Sequence, residues 1–475
     1  MAAIRPTASI VGVSRRESIS RSERLCRGSE NQLSHGSSRF GHNRAMTGPS
    51  KLNADVAGAR TCNVALIGFG TVGSSVARIL CERPNTYLHL THVFNRNVQR
   101  KTVDWLPTSV HWTENIDDVL SSDADIVVEV MGGLQPTEDW IRRALQLGKS
   151  VVTANKQLIA HCGPDLINLA HQMKQQIQFG ASVAGGVPVI SGLHEGLAGD
   201  ELFKICGILN GTCNYILSQI ESNGIPFATA LREAQKLGFA EADPTDDIEG
   251  LDARAKLAIL ARVGLHCNVK ATSIVARSIA AIDSVDFEYA KQLGCTIRQI
   301  SCAELQGDNL FAAVQPALVE LSSPLARVEG SKNLVIATGK YGGETVFGGH
   351  GAGGHPTAVA VVSDILAIAR AKQSGISYTA QPNKKTPTVT ADFISKHYLR
   401  FMVKDRPGII ASLATILSSG GINIDAVVQK PGCPKTHLPF LITLEECKGS
   451  FVEQALQQID SLDFQVQPCL HLPIL

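Results

Sequence analysis

Hydrophobic and polar positions follow distinct regimes along the chain. Residues 1–60 show no periodicity. Beyond them, short apolar runs alternate with stretches of helical spacing. The runs cover 64–67, 87–94, 124–133, 150–156 and 176–190, and several lead into glycine turns. Apolar throughout and separated by helices, they predict the buried parallel strands of an α/β domain over 61–190. A second pattern begins near Phe203. FKICGILNGTCNYIL reads as strand, turn and helix, with the turn and helix start at 210–215. Later apolar stretches around Ile274, Ile297, Phe311 and Val335 have no long helices between them. They predict a mostly antiparallel sheet in a second, α+β domain over 191–348.

Two further segments follow. GGHGAGG at 348–354 opens an apolar helix over 356–370, and the 349–379 stretch is expected to return to the first domain. Residues 380–396, with Pro, Lys and Thr, read as a linker. Residues 397–475 then give strand, RPG turn, helix, two strands, helix and a short last strand. That is the βαββαβ order of a ferredoxin-like domain.

Composition narrows the classes. A chain of 475 residues with 44% hydrophobic residues holds two or three domains with real cores. A net charge of +1 without a long basic run argues against nucleic acid as a partner. No apolar run is long enough to span a bilayer. The 12 cysteines form no C-x-x-C pair, which suits reduced, mostly buried thiols in a cytosol-like compartment. Residues 1–60 are rich in Ser and Arg and poor in acids. They read as a non-folded extension, an organellar (plastid or other) transit segment, or a start placed ahead of Met46.

Candidate chemistry sits at the ends of the predicted strands. The first strand runs into Gly68-Phe69-Gly70-Thr71-Val72-Gly73 and then an amphipathic helix, a strand–GxGxxG–helix pattern. Its glycines permit close approach to a pyrophosphate, and the helix amino end supplies amides. At the end of the second strand an NAD site usually carries an acid for the ribose. Here stand Asn95 and Arg96, with Arg100 and Lys101 beyond, which favours NADP over NAD; a solvated basic turn has the same composition. Thr153 and Lys156 end another strand, where ligands of doubly wound sheets bind. Gly351 and Gly353 open the late helix, a second anion-friendly start. The 176–190 turn offers backbone carbonyls for a hard cation but no side-chain carboxylate.

The acidic stretch AQKLGFAEADPTDDIEGLDARAK, 234–256, predicts a single helix. Asp243 is its N-cap, Pro244 its first residue, and Asp246 and Asp247 face the positive dipole end. Ile248, Leu251, Ala255 and Ala258 keep helical spacing, and Gly264 is the stop. Asp252 and Lys256 are four apart and share a face, with Glu241 just ahead of the cap. Alone, the pair equally describes a surface ion pair worth ~0–1 kcal/mol.

Together these motifs resemble the homoserine dehydrogenase family. Ala234, Gly238, Phe239, Asp243, Pro244, Asp247, Ile248, Gly250, Asp252 and Lys256 fill the family's long helix signature. N-G-T-x-N-Y-I-L stands at 210–217 and T-x-N-K at 153–156. The tail resembles an ACT domain, with Asp405, Arg406, Pro407 and Gly408 at its first turn. The resemblance spans 61–475 and implies a Rossmann-type NAD(P)-binding domain, an α+β substrate and dimerisation domain, and a C-terminal ACT domain. It implies reversible reduction of L-aspartate 4-semialdehyde to L-homoserine, on the route to threonine, methionine and isoleucine.

Roles follow from that resemblance. Lys256 is the acid–base group, Lys156 the second lysine and Asp252 their orienting acid. Substrate contacts are implied for Glu241, Asp247, Asp252, Lys156, Gly211 and Thr212. A sodium-type cation is implied at the carbonyls of Val183, Gly185 and Val187. Gly180 stands where the family often has a Glu beside that cation. An amino-acid effector at the ACT domain, a homodimer or homotetramer, and a cytoplasmic site are also expected. Two rivals remain open: an amino-acid sensor with an inactive dehydrogenase body, and a dehydrogenase of another small amino acid. The intact lysine–acid set speaks against the first and the complete helix signature against the second.

Overall fold

A computed structural model describes residues 61–83, 87–375 and 385–475. The expectations for residues 1–60, for 376–379 at the end of the returning segment, and for 380–384 of the linker lie outside the described residues. The first region runs β1 (Cys62–Ile67), α1 (Thr71–Glu82), β2 (Leu88–Phe94), β3 (His111–Thr113), α2 (Ile116–Leu120), β4 (Ile126–Glu129), α3 (Thr137–Gln146), β5 (Ser150–Thr153), α4 (Lys156–Gln172), β6 (Ile177–Gln178) and the single turn α5 (Val189–Ser191). The second runs β7 (Leu202–Ile208), α6 (Gly211–Asn223), α7 (Phe227–Lys236), α8 (Thr245–Ile248), α9 (Leu251–Gly264), β8 (Val275–Ala276), α10 (Ser284–Gln292), β9 (Cys295–Gln306), β10 (Asn309–Glu320), β11 (Lys332–Gly339) and β12 (Gly343–His350). After α11 (Gly354–Ser374) and β13 (Thr388–Thr390) come β14 (Ile394–Val403), α12 (Ile409–Ser419), β15 (Ile424–Gln429), β16 (Leu438–Lys448), α13 (Gly449–Ile459) and β17 (Gln465–Ile474).

The first six strands form a parallel sheet in the order β3-β2-β1-β4-β5-β6. The order reverses between β1 and β4, the switch point at which such sheets bind ligands. Successive strand residues serve opposite faces. Val64 and Leu66 bury against Val361, Val362 and Ile365 of α11. Ala65 and Ile67 join the core built by α3, α4 and α9. The late helix therefore closes one face of the parallel sheet, and α9 of the second region packs on α4 within the core of its other face.

The remaining strands make one mixed sheet, β12-β11-β7-β9-β10-β17-β14-β16-β15, with β8 and β13 also paired to β10. Its core, β12 through β10, is antiparallel. The tail contributes the βαββαβ unit as β14, α12, β15, β16, α13 and β17. Its last strand is ten residues rather than a short end, long enough for Ile474 to pair with Leu318 of β10. The described part of the expected linker is tied down, since Lys385 bridges to Cys267 and β13 lies along β10.

Two expectations change. The acidic helix is broken: α8 ends after four residues, and Gly250 at φ +75° starts α9 afresh. A Cβ at Gly250 would also crowd Val314 at 3.1 Å. A left-handed residue cannot continue a helix, so it resets the axis and puts Asp252 in the first turn of α9. Asp243 still accepts from the Thr245 amide at 3.1 Å. The thiols are not all free either. Cys206 and Cys302 are register partners on β7 and β9 and form a disulfide, their Cα atoms 4.2 Å apart. Sequence spacing carries no trace of a pairing made by strand register.

Candidate active site

The cofactor side is built by tight glycines. Gly68 has φ +104°, and a Cβ there would meet Met131 Cγ at 2.7 Å and the Val130 backbone at 3.2 Å. A Cβ at Gly70 would meet nothing, so this position is open to an approaching ligand. Gly354, at the start of α11, fits against Thr71 and Ser75 in the first turns of α1. The amino ends of α1 and α11 therefore converge, with Gly353 at φ +121° and Gly351 packed on Asn333. Two converging positive helix ends beside an open glycine suit the phosphates of a dinucleotide. Phe69 contributes backbone only, because its ring is buried edge-on to Trp112, 4.8 Å between centroids. Its amide meets Asn95 Oδ1 at 3.4 Å. Arg96 is exposed, and Val72 and Gly73 lie within the first turn of α1.

The polar cluster lies where α4, α6, α8 and α9 meet. Asn155 caps α4 by accepting from the Leu158 amide at 3.1 Å, and Lys156 is the first residue of that helix. Lys156 Nζ lies 2.9 Å from Asp252 Oδ1, and Lys256 Nζ 2.7 Å from Asp252 Oδ2. Lys256 also donates to the Leu209 carbonyl at 2.8 Å. Asn210, which caps α6, donates its amide to Asp252 Oδ2 at 2.9 Å and to Asp247 Oδ1 at 2.6 Å. Sequence reading placed Asn210 at a turn and helix start but gave it no role in the site; its N-cap chemistry was the available signal.

Charge is balanced inside the cluster. The Asp252 side chain is 6% exposed, against 13% for Lys256 and 39% for Lys156. Burial disfavours the Asp252 carboxylate, but two ammonium groups outweigh it and hold its pKa well below the usual range. Burial opposes the charge on Lys156 as well, yet Asp252 overrides it and raises that pKa. Asp247 is pushed up by burial; the Asn210 bond pulls back, and the Asp252 charge pushes further.

The other expected substrate residues are placed as follows. Gly211 sits tight on the Ser331 carbonyl, 2.6 Å from where its Cβ would be. Thr212 donates to the Phe239 carbonyl at 2.7 Å. Glu241 is exposed on the loop before α8, its backbone carbonyl accepting from Gln235 at 3.2 Å. The observed contacts do not join its carboxylate to the lysines.

The sequence of the chain matches known proteins along most of its length. The family description "Homoserine dehydrogenase" covers residues 188–366, "Homoserine dehydrogenase, NAD binding domain" covers 68–180, and "ACT domain" covers 397–464. A homoserine dehydrogenase of Mycobacterium tuberculosis is 40% identical over 420 residues, 84% of this chain and 94% of that protein. The chain belongs to the homoserine dehydrogenase family. A Bacillus subtilis homoserine dehydrogenase is 37% identical over 382 residues, 78% of this chain and 88% of its own length. The solved homoserine dehydrogenase of Thiobacillus denitrificans superposes with a TM-score of 0.81 at 31% identity, over 88% of this chain and 98% of that one. A hyperthermophilic archaeal homoserine dehydrogenase in complex with NADPH gives 0.56 at 27% identity, over 65% and 97%. The chain is thus a family oxidoreductase with an NAD(P)-binding domain and a C-terminal ACT domain.

The expected cation turn has a distinctive neighbour. Val183 and Val187 are buried, Gly185 has φ +46°, and the Val187 carbonyl accepts from the Val189 amide. Asp364 of α11 brings a carboxylate to the head of that turn, accepting from the Gly180 amide at 2.7 Å. A side chain at 180 would start 2.8 Å from Asp364 Oδ1. Among the described residues no cluster of three or more His, Cys, Asp or Glu is arranged for a metal. No described helix is long and apolar enough to cross a membrane.

Proposed function

We propose that the chain reduces L-aspartate 4-semialdehyde reversibly to L-homoserine, with NADPH seated on Gly68–Gly73 and against Gly351 and Gly353. Asn95, Arg96 and Thr153 complete that seat, and the absence of an acid after β2 favours the 2′-phosphate. The bound nicotinamide supplies the hydride. The observation that carries the reading is the Lys156–Asp252–Lys256 bridge. An ammonium has three donors, and Asp252 and Leu209 occupy two on Lys256. The third delivers its proton to the aldehyde oxygen as negative charge grows there. Lys156, with donors to spare, steadies the same oxygen. Asp247 and Glu241 receive the substrate ammonium, and amides at Gly211 and Thr212 its carboxylate.

The cation and regulation belong to the same reading. The carbonyls of Val183, Gly185 and Val187 hold a sodium-type ion, for which oxygen donors are suited, and Asp364, bound to the Gly180 amide, adds a carboxylate at the head of that turn. The ACT domain binds an amino-acid effector, the chain works in the cytoplasm, and the outer face of β9 and β10 pairs two subunits. That face carries a hollow of about 890 Å³ with Phe311, Ile394 and Leu475 on its rim. The deciding test follows NADPH consumption on adding L-aspartate 4-semialdehyde, with and without threonine. No consumption overturns the reaction; if neither threonine nor any other amino acid changes the rate or binds, the effector is overturned. NADPH and NADH compared in the same assay decide the cofactor.

A further inference from the structure

Glu129 is an acid inside an apolar strand. It ends β4, is fully buried, and stands at the switch point of the parallel sheet. Buried carboxylates are held by donors or not at all, and this one is held on both oxygens. Oε1 accepts from the amides of Met131 and Gly132 at 2.7 and 2.9 Å. Oε2 accepts from the Thr153 hydroxyl at 2.6 Å. The Thr153 oxygen accepts in turn from the Asn155 amide at 3.0 Å. Asn155 donates its side-chain amide to the Gly133 carbonyl at 2.6 Å while it caps α4. The ring closes on itself: Glu129, the Met131–Gly133 turn, Asn155, Thr153 and back.

This ring has two neighbours. On one side the turn it holds is the wall that Gly68 packs against. On the other, Asn155 fixes the amino end of α4, whose first residue is Lys156. We infer that Glu129 is a positioning residue: through Thr153 and Asn155 it sets Lys156 on Asp252 and keeps it in register with the glycine loop. The inference rests on the lysine reading above and adds a residue that bonds to neither lysine. A carboxylate is needed because every group facing it is a donor. In Glu129→Gln the amide nitrogen faces the Thr153 hydroxyl, which must turn over and leave its own proton without an acceptor.

A double-mutant cycle tests this. Glu129→Gln lowers kcat about 10- to 100-fold, as expected for a displaced catalytic group, with NADPH binding little changed. In a Lys156→Ala background the same substitution costs less than about 3-fold, because its target is gone. At saturating NADPH, Thr153→Val lowers kcat as Glu129→Gln does, with weaker NADPH binding added because Thr153 also lines the cofactor seat, and Thr153→Ser restores the rate. Should Glu129→Gln fail to fold, the Thr153 pair carries the same cycle. Equal cost in both backgrounds overturns the inference. Labelling of Lys156 by an amine-selective reagent, read by mass spectrometry, needs no turnover. It accelerates in Glu129→Gln if the Asp252 contact loosens; unchanged labelling also overturns the inference. A wild-type chain inactive on the semialdehyde instead strikes the reaction assignment, and the labelling still decides the role of Glu129.

Discussion

Lys156 and Lys256 come from different helices and share one carboxylate, each ammonium on its own oxygen of Asp252 at 2.9 and 2.7 Å. Two cations this close repel unless an anion stands between them. Asp252 stands between them as that anion, and on Lys156 its charge outweighs the burial that would otherwise favour the neutral amine.

The two lysines are expected to differ in cost. Lys256 is the more buried and has its orientation fixed by the Leu209 carbonyl. Lys256→Ala lowers turnover by at least ~10²-fold, the usual worth of a positioned proton donor. Steady-state rates with the semialdehyde measure it; near-normal turnover removes Lys256 from its role.

Asp252→Asn tests the charge rather than the geometry. With the negative charge gone, burial acts on Lys156 against only the weaker pull of Asp247 and Asp246, and its pKa falls. The alkaline limb of the reduction rate then moves to lower pH. Stability changes in the opposite range. The folded pKa of Asp252 is depressed, so its contribution is present above the unfolded value near 3.8 and lost as pH falls below it. The variant loses the acid-side part of that pH dependence. A pH–rate profile and thermal midpoints from pH 2 to 6, ranges set by the usual carboxylate and lysine titrations, check both statements.

Much of this site was legible because its signals are local. GxGxxG and the four-residue spacing of Asp252 and Lys256 each lie within one turn of chain, and the βαββαβ order of the tail follows from period alone. What was not legible depends on tertiary placement. Lys156 meets Asp252 across two domains, and Asn210 bridges two acids 37 and 42 residues away. Gly250 read as part of a helix because spacing alone does not mark its left-handed backbone, and the side chain of Val314 that crowds it lies 64 residues away. Asp364 sits 184 residues from the amide it serves. Glu129 did leave a trace: a lone acid in an apolar strand demands partners.

Asp364 predicts a pH signature. Burial, with Glu195 adding like charge, pushes its carboxyl up to about 7 against the Gly180 bond. A raised acid binds its proton more tightly when folded. Its stabilisation is full below the unfolded value near 3.8 and is lost as pH rises through about 7. Asp364→Asn keeps an acceptor for Gly180 and removes the charge, so its thermal midpoint falls less between pH 5 and 8 than that of the wild type. Sodium raises the wild-type midpoint at pH 8 if the carboxylate serves the cation. Parallel curves for the two proteins contradict the burial argument.

The tail is expected to be inseparable from the substrate domain. Tyr398, Leu441 and Leu472 of its sheet share one core with Ile216 of α6, Ile248 of α8 and Tyr289 of α10. At the centre, Asp286 accepts from Tyr398 at 2.7 Å and from Arg400 at 2.8 Å, all three buried. Burial opposes the charge on Arg400, but Asp286 outweighs it and raises the pKa. Removing one partner leaves the other charge stranded, at a cost of about 3–5 kcal/mol. Arg400→Met therefore lowers the unfolding free energy by that order, and adding Asp286→Asn recovers part of it. A chain ending at residue 396 loses the Leu318–Ile474 pairing as well and bares the apolar side of α10. It should aggregate rather than persist as an unregulated enzyme. Chemical denaturation of the point variants, and sedimentation of the truncated chain, measure these outcomes. A stable, active truncated form would show that the shared core is dispensable.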